Sequence, residues 1–228
     1  MGKRRHANKV QNKANKRKRY SANVSSDDQS DDDKNSSDED VENIDVEVKQ
    51  TSYHEIVFNG EINRKNIVEL GCILRKMASK MQRIAWRRGK QYSDDTITVY
   101  LTSDGGEVEA GFAGADMIMN LNVFVKIIVC GVAASSATLL AMSATNGLFL
   151  YENSTLLIHQ LSTGLLNGTV KEIHDFNISA KKLHDQMLSF YKKRCPDLKT
   201  SNLNYLMSHD LVLNANDCYE YKLISDII

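Results

Sequence analysis

Hydrophobic positions in residues 52–228 recur at two spacings, which predict alternating strands and helices. In "NRKNIVELGCILRKMASKMQRIAWRRG" the apolar side chains are three and four residues apart, as on one face of a long helix, and Gly89 ends it. "DTITVYL" alternates apolar and polar residues, as a half-buried strand does. "VFVKIIVCGVA" is almost continuously apolar and rich in β-branched residues, which is typical of a strand covered on both faces.

The same patterns complete the predicted domain. Strands are expected in "HEIVFNGEI", "GLFLYE" and "STLLIHQL", and short helices in "EVEAGFAGADMIMNL" and "SSATLLAMSA". A glycine-bearing loop leads to a long polar helix from about 169 to 194, ended by Pro196. A further helix and strand precede Asn214 and Asp217, which have the spacing of a capping box. Strands alternating with helices predict an α/β fold with a largely parallel sheet.

Residues 1–51 differ in composition and are predicted to form a disordered, charged N-terminal tail. Residues 1–20 carry nine Lys/Arg and no acid, whereas residues 21–47 carry eleven Asp/Glu and one Lys. Such segments bury too little apolar surface to offset their ordering entropy. The basic block is a solvated tail, a contact for nucleic acid or another acidic surface, or a nuclear localisation signal. The acidic block could also fold back on the basic block by charge attraction.

Composition narrows the class of protein. The 228 residues are 42% hydrophobic and carry no net charge, as in an ordinary globular protein. The four cysteines are widely spaced without a CxxC pair, so neither zinc nor a disulfide framework is indicated. We expect no cofactor. The basic N-terminus has no apolar run behind it, and no segment approaches the length of a membrane span. We therefore expect a cytoplasmic protein.

Candidate chemistry lies at the ends of three predicted strands. "TSDGG" (102–106) follows one strand, and its glycines would let backbone N–H groups face a ligand. "GVAASS" (131–136) follows the next strand and places a serine at a helix start, near free N–H groups. His159, near the end of a later strand, could serve as a base. A hydroxyl, oxyanion donors and a base are the parts of an acyl-transfer site.

These motifs resemble those of the ClpP family, the proteolytic subunit of the ATP-dependent Clp protease. "SDGG", "GVAAS" and "IHQL" are similar to that family's "SPGG", "GxAAS" and "IHQP", and lie in the same order. Gly106 and Ser135 are 29 residues apart, and Ser135 and His159 are 24 apart. The ending "LNANDCYEYKLISDI" is similar to "SAxEAxEYGLID". The resemblance covers roughly residues 54–228 and implies the ClpP/crotonase-like spiral of β-β-α units.

The resemblance also implies an activity and site residues. Ser135 matches the nucleophile and His159 the base of a serine endopeptidase, while the N–H groups of Gly106 and Ser136 match the oxyanion hole. Family members form rings of seven, stacked in pairs around a chamber, and work with an AAA+ unfoldase ATPase. The long helix resembles the element that joins two rings; its apolar stripe consists of Ile173, Phe176, Ala180, Leu183, Met187 and Phe190.

The third catalytic residue is left open by the sequence. An ungapped count places the family's aspartate at Leu206, which cannot orient an imidazole. Asp210 is the nearest acid and the leading candidate, while Asn204, Ser208, His209 or a serine–histidine dyad are the alternatives.

Two other functions compete with the peptidase. A catalytically weak or inactive subunit of the same fold is favoured by Leu206 and opposed by intact Ser135 and His159. A crotonase-class enzyme also uses strand-end N–H groups, but it does not need this serine and histidine.

Overall fold

A computed structural model describes residues 48–162 and 167–228. The predicted α/β fold is confirmed in these ranges. The strands are β1 Val48–Gln50, β2 Glu55–Asn59, β3 Thr96–Ser103, β4 Phe124–Ala134, β5 Leu148–Leu150, β6 Thr155–Leu157, β7 Val212–Asn214 and β8 Asp226–Ile227. The helices are α1 Arg64–Arg87, α2 Val108–Met119, α3 Ser136–Met142, α4 Val170–Arg194, α5 Thr200–Ser208 and α6 Ala215–Glu220.

The strands form one sheet in the order β1-β2-β3-β4-β5-β8, with β6 paired to β4 and β7 paired to β6. Only the pairs β1–β2 and β6–β7 are antiparallel among the described strands. The sheet is therefore largely parallel, as predicted. Parallel strands align their carboxyl ends, so the ends of β3, β4 and β6 meet at one edge.

The folded region reaches further toward the N-terminus than the predicted boundary at residue 52. Val48 is buried, and β1 pairs with Ile56, Val57 and Phe58 of β2. Residues 48–50 therefore belong to the sheet rather than to the tail; they were missed because the segment has only one buried apolar side chain. The rest of the predicted tail, with its nucleic-acid contact, and positions 163–166 of the predicted glycine-bearing loop lie outside the described residues.

Helix α1 packs on the sheet through the face that its periodicity predicts. Its start is fixed by Asn63, whose side chain accepts a hydrogen bond from the N–H of Asn66. Ile84, expected on the same face, is only half-buried, whereas the next residue, Ala85, is buried. The buried apolar positions are Ile67, Leu70, Leu74, Met77, Ala78, Met81 and Ala85.

Strand β4 changes its pairing partner halfway along. Its first half pairs with β5 through residues 127–129, and its last three residues pair with β6. The change occurs at Gly131, whose φ of 86° is a conformation that side chains disfavour. The hydroxyl of Ser154 accepts a hydrogen bond from the Gly131 N–H and donates one to the Val129 carbonyl, each at 2.9 Å. Ser154 thus satisfies backbone groups where the regular ladder is interrupted.

Helix α4 is packed only along part of its length. Met187 and Tyr191 are buried, and Leu183 and Phe190 pack against the core. Ile173 is 41% exposed and Val170 is 87% exposed. The predicted apolar stripe is therefore core at one end of α4 and exposed at the other. Within residues 48–162 and 167–228, no helix is both long and apolar enough to cross a membrane.

We expect Ser154→Ala to lower the free energy of unfolding by about 1–3 kcal/mol, because it leaves the Gly131 N–H and the buried Val129 carbonyl of β4 without their partner. Urea denaturation measures the change. Ser201→Ala, on the exposed side of α5, is the matched control and should change stability by less than about 0.5 kcal/mol. Equal stabilities of the two variants would contradict the role given to Ser154.

Candidate active site

Ser135 lies in the turn between β4 and α3 with an unusual backbone conformation. Its φ and ψ are 55° and −127°, a region that residues other than glycine seldom adopt. Holding a serine there costs on the order of 1–3 kcal/mol, and such strain is concentrated at functional sites. The Ser135 N–H donates to the carbonyl of Leu157 at 2.8 Å, which attaches the turn to the end of β6. Its side chain is half-buried at this edge of the sheet.

The glycine loop after β3 lies directly against this turn. A Cβ at Gly105 would stand 2.7 Å from both the Ala134 carbonyl oxygen and the Ser135 Cβ, so this approach requires glycine. The loop is held from its other side by the segment before α1. There the Ile62 N–H donates to the Gly105 carbonyl at 2.8 Å, and the Glu107 N–H donates to the Ile62 carbonyl at 2.7 Å.

Two backbone N–H groups are available beside Ser135. The Gly106 N–H donates to no protein acceptor within the described ranges, although both of its neighbours in the chain are hydrogen-bonded. Ser136 is the first residue of α3, where an N–H has no partner inside the helix. These are the two donors that the sequence predicts for an oxyanion.

His159 lies two residues beyond β6, just past the end of the strand. Its side chain is 19% exposed. The Nδ1 atom is 3.8 Å from Oδ1 of Asp210, a carboxylate that is 79% exposed. The other ring nitrogen, Nε2, is thus left for proton exchange. The structure therefore places Asp210, the leading candidate from the sequence, next to His159.

The alternatives to Asp210 have other surroundings. Leu206 is 1% exposed, so the position found by the ungapped count is buried in the core. The Ser208 hydroxyl donates to the Tyr205 carbonyl, and the His209 ring lies within hydrogen-bond distance of the same carbonyl and stacks on the Tyr205 ring. Asn204 is exposed on α5.

The nucleophile and base are neighbours without a direct bond. Ala134 and Leu157 are paired in register, so Ser135 and His159 follow the ends of adjacent strands. No hydrogen bond joins the Ser135 hydroxyl to the His159 ring in the part of the chain that the structure describes. Catalytic hydrogen bonds often tighten only when substrate is bound, so this spacing is compatible with proton transfer.

A buried chain of hydroxyls fixes the Ser135 turn from behind, and sequence reasoning missed it. The Thr138 hydroxyl donates to the Ser135 carbonyl at 2.6 Å and lies 2.6 Å from the Tyr191 hydroxyl of α4. Burial raises the pKa of the Tyr191 phenol well above its usual value, so the phenol keeps its proton and can donate to Thr138. A tyrosine directly after Phe190, the last residue of the apolar stripe of α4, was the only signal in the sequence.

Helix α4 also holds the far end of α3. The Arg194 guanidinium donates to the carbonyls of Met142 and Ala144, at 2.7 and 2.6 Å. These carbonyls lie at the C-terminal end of α3, where a positive charge is favourable. The last turn of α4 therefore positions both ends of the helix that carries the candidate nucleophile.

Three of the four cysteines are in surroundings that make them poor nucleophiles. All four are free, and burial raises the pKa of Cys195 to about 11 and of Cys218 to about 12. Burial also raises the pKa of Cys130, which lies on β4 near the site. Near neutral pH these three groups remain thiols, which are far weaker nucleophiles than thiolates.

A groove of about 610 Å³ runs from the candidate oxyanion donor Gly106 to the middle of α4. Its walls include Leu161, Phe176 and Leu183, with Glu107 at the start of α2 and Lys182 on α4. Apolar walls with a few polar groups are typical of ligand-binding clefts.

The Ser135 turn thus lies beside the glycine loop, and His159, with Asp210 3.8 Å from its ring, follows the end of the adjacent strand β6. The model of the Clp protease family matches residues 50–228. The chain therefore belongs to the Clp protease family.

Individual relatives agree with this assignment. The ATP-dependent Clp protease proteolytic subunit 2 of Treponema denticola is 31% identical over 169 residues, covering 73% of this chain and 82% of that protein. The ATP-dependent Clp protease proteolytic subunit of Ligilactobacillus salivarius is 34% identical over 142 residues, covering 60% and 70%. The structure is similar to that of a ClpP1 point mutant from Listeria monocytogenes, with a TM-score of 0.65, 22% identity, and coverage of 77% and 91%. That likeness supports the fold.

We expect Ser136→Ala to raise the free energy of unfolding by about 1 kcal/mol, because the buried Ser136 hydroxyl has no hydrogen-bond partner among the described residues. Ser143 offers a matched control: it is equally buried at the end of α3, but its hydroxyl donates to the Leu140 carbonyl. Ser143→Ala should therefore lower stability by about 0.5–1.5 kcal/mol. Thermal or urea unfolding of both variants measures the difference. If Ser136→Ala were destabilised, the Ser136 hydroxyl would have a hydrogen-bond partner, contrary to the structure.

Proposed function

We propose that this protein is a serine endopeptidase of the Clp proteolytic-subunit type, which hydrolyses peptide bonds of unfolded proteins. The observation that carries the proposal is the Ser135 turn. A serine held at φ 55° between the glycine loop and the end of β6 has no structural benefit that a relaxed turn would lack. The free-energy cost of this conformation is explained if the Ser135 hydroxyl must lie beside the oxyanion donors.

The mechanism follows from the positions of the groups. The Ser135 hydroxyl attacks the carbonyl carbon of the scissile bond, and His159 Nε2 takes its proton. The oxyanion that forms is stabilised by the N–H groups of Gly106 and Ser136. Asp210, on the Nδ1 side of the ring, favours the imidazolium. His159 then protonates the leaving amine, and water releases the acyl group from Ser135.

We further propose that the chain assembles into rings that enclose the sites, heptameric and able to stack in pairs, and that an AAA+ unfoldase ATPase supplies substrates. The exposed apolar side chains of Val170, Ile173 and Ile178 on the first half of α4 support self-association, because several large apolar side chains exposed on one short segment are typical of an interaction surface. ATP dependence would reside in that partner. The four free cysteines suit a reducing compartment such as the cytoplasm.

The decisive experiment is labelling with a serine-reactive fluorophosphonate followed by mapping of the adduct. We expect the adduct on Ser135 and a loss of peptide hydrolysis in Ser135→Ala. Ser136→Ala should keep most activity, because the backbone N–H remains when the side chain is removed. An adduct on Ser136, or full peptidase activity in Ser135→Ala, would disprove the assignment.

A second candidate function is a structural or regulatory subunit with little activity. It is favoured by the 3.8 Å separation and high exposure of Asp210, since exposed ion pairs contribute only about 0–1 kcal/mol. A protein of this kind would keep the fold and the assembly but would turn over peptides slowly.

Asp210→Asn separates the two candidates. In the peptidase it should lower kcat by between about fivefold, the equivalent of the upper limit of about 1 kcal/mol for an exposed pair, and about 10⁴-fold, the loss in the template triad. The mass from light scattering should not change. Asp197→Asn, an exposed carboxylate between α4 and α5, is the control and should leave kcat intact. An unchanged kcat in Asp210→Asn, on an already slow enzyme, would favour the structural subunit.

A further inference from the structure

The end of α1 and the loop that follows it carry two widely exposed aromatic side chains. Trp86 and Tyr92 are each 63% exposed. Neither contributes to the hydrophobic core, and neither lies at the candidate active site. Large aromatic rings that stay exposed near the same loop are a feature of binding surfaces, because burying them in the core would stabilise the fold.

These rings are held in place although they are exposed. The Trp86 indole N–H donates to the Gln91 carbonyl at 3.3 Å, and the Gln91 side-chain amide donates to the Tyr92 hydroxyl at 3.4 Å. The loop itself is anchored by the buried Gln82, which donates to the Gln91 carbonyl and accepts from the Ser93 N–H. Rings that are ordered before binding lose less conformational freedom on contact with a ligand.

The surroundings of the rings are strongly basic. Residues 64–90 contain nine Lys/Arg and a single acid, Glu69. Arg83, Arg87 and Arg88 are exposed beside Trp86, and no carboxylate lies within ion-pair distance of them in the described ranges. Nearby Asp94 is paired with Lys90. Arg83 donates through Nε to the Ser79 carbonyl at 3.3 Å, which leaves its charge without a counter-ion. All three guanidinium charges can therefore meet an anionic partner.

An apolar groove extends the surface on the far side of Tyr92. It has a volume of about 380 Å³, and its walls include Leu121, Val123 and Phe124, whose ring is 52% exposed. A partner that lies on Trp86 and Tyr92 thus finds a further flat, apolar surface next to them. Polyanions without flat groups, such as acidic peptides, would use the arginines and leave the rings and the groove bare.

We propose that this surface, formed by Arg83, Trp86, Arg87, Arg88, Tyr92 and Phe124, binds single-stranded nucleic acid. Bases stack on the aromatic rings, and the arginines contact backbone phosphates. Stacking platforms combined with cations are how proteins hold single strands without reading their sequence. The surface is separate from the proposed peptidase site, so the proposal stands whether or not that site is active.

Trp86 is the only tryptophan of the chain and reports directly on this surface. The full chain is titrated with oligothymidylate of about 12 nucleotides, a length within the range of single-strand sites. We expect saturable quenching of Trp86 fluorescence, because a stacked base quenches the indole. Binding through residues 1–20, which also carry nine Lys/Arg, would leave that fluorescence unchanged.

The double variant Arg87→Ala/Arg88→Ala tests the phosphate contacts. It should weaken binding at least tenfold and reduce the slope of log K against log salt by about 1.4, which is about 0.7 for each lost contact. Tyr92→Ala should weaken quenching and affinity about tenfold at unchanged slope. Lys192→Ala/Lys193→Ala, an exposed pair on α4, is the charge-matched control and should retain wild-type affinity.

Three results would overturn the proposal. One is oligonucleotide binding that leaves Trp86 fluorescence unchanged and is as tight in Arg87→Ala/Arg88→Ala. Another is polyglutamate that quenches Trp86 and displaces the oligonucleotide at equal charge concentration, which would assign the surface to an acidic peptide. The third is tighter binding of duplex than of single strand, since stacked and paired bases cannot lie on the rings.

Discussion

The hydrogen bonds of the Ser154 hydroxyl support the arrangement on which the site depends. They satisfy β4 where it leaves β5 at Gly131 and turns to β6. A strand that kept one partner along its whole length would deliver Ser135 to the end of β5, away from His159. Because β4 changes partner, its last residues contact β3 on one side and β6 on the other. The glycine loop, the serine and the histidine meet for that reason.

A second layer of support comes from helix α4. Its last turns hold both ends of α3, through Tyr191 and Thr138 at one end and through Arg194 at the other. Its middle forms a wall of the groove beside Gly106. One helix therefore contacts the candidate nucleophile turn from behind and the candidate substrate groove in front. A shift of α4 along its axis would therefore change both the turn and the groove.

The sequence predicted what periodicity and local chemistry determine. The long amphipathic α1, the continuous apolar β4 and the capping box at Asn214 are each specified by residues close in the chain, and all are present. The partner change in β4 was not predicted, because it depends on Ser154, which lies 23 residues beyond Gly131. Asp210 shows a similar limit. Counting along the chain leads to the buried Leu206, and only the packing of α5 reveals that the acid after the helix faces His159.

The positive φ of Ser135 destabilises the turn, yet the turn carries the hydroxyl that the proposed chemistry needs. Glycine adopts such a φ without a steric penalty, so replacing the serine by glycine would relax the turn and remove the hydroxyl together. Libraries of this protein sorted only for resistance to heat would therefore be expected to enrich sequences that have lost the nucleophile. Consensus or heat-selected versions of this chain need a functional screen at that one codon, where gains in durability and loss of turnover coincide.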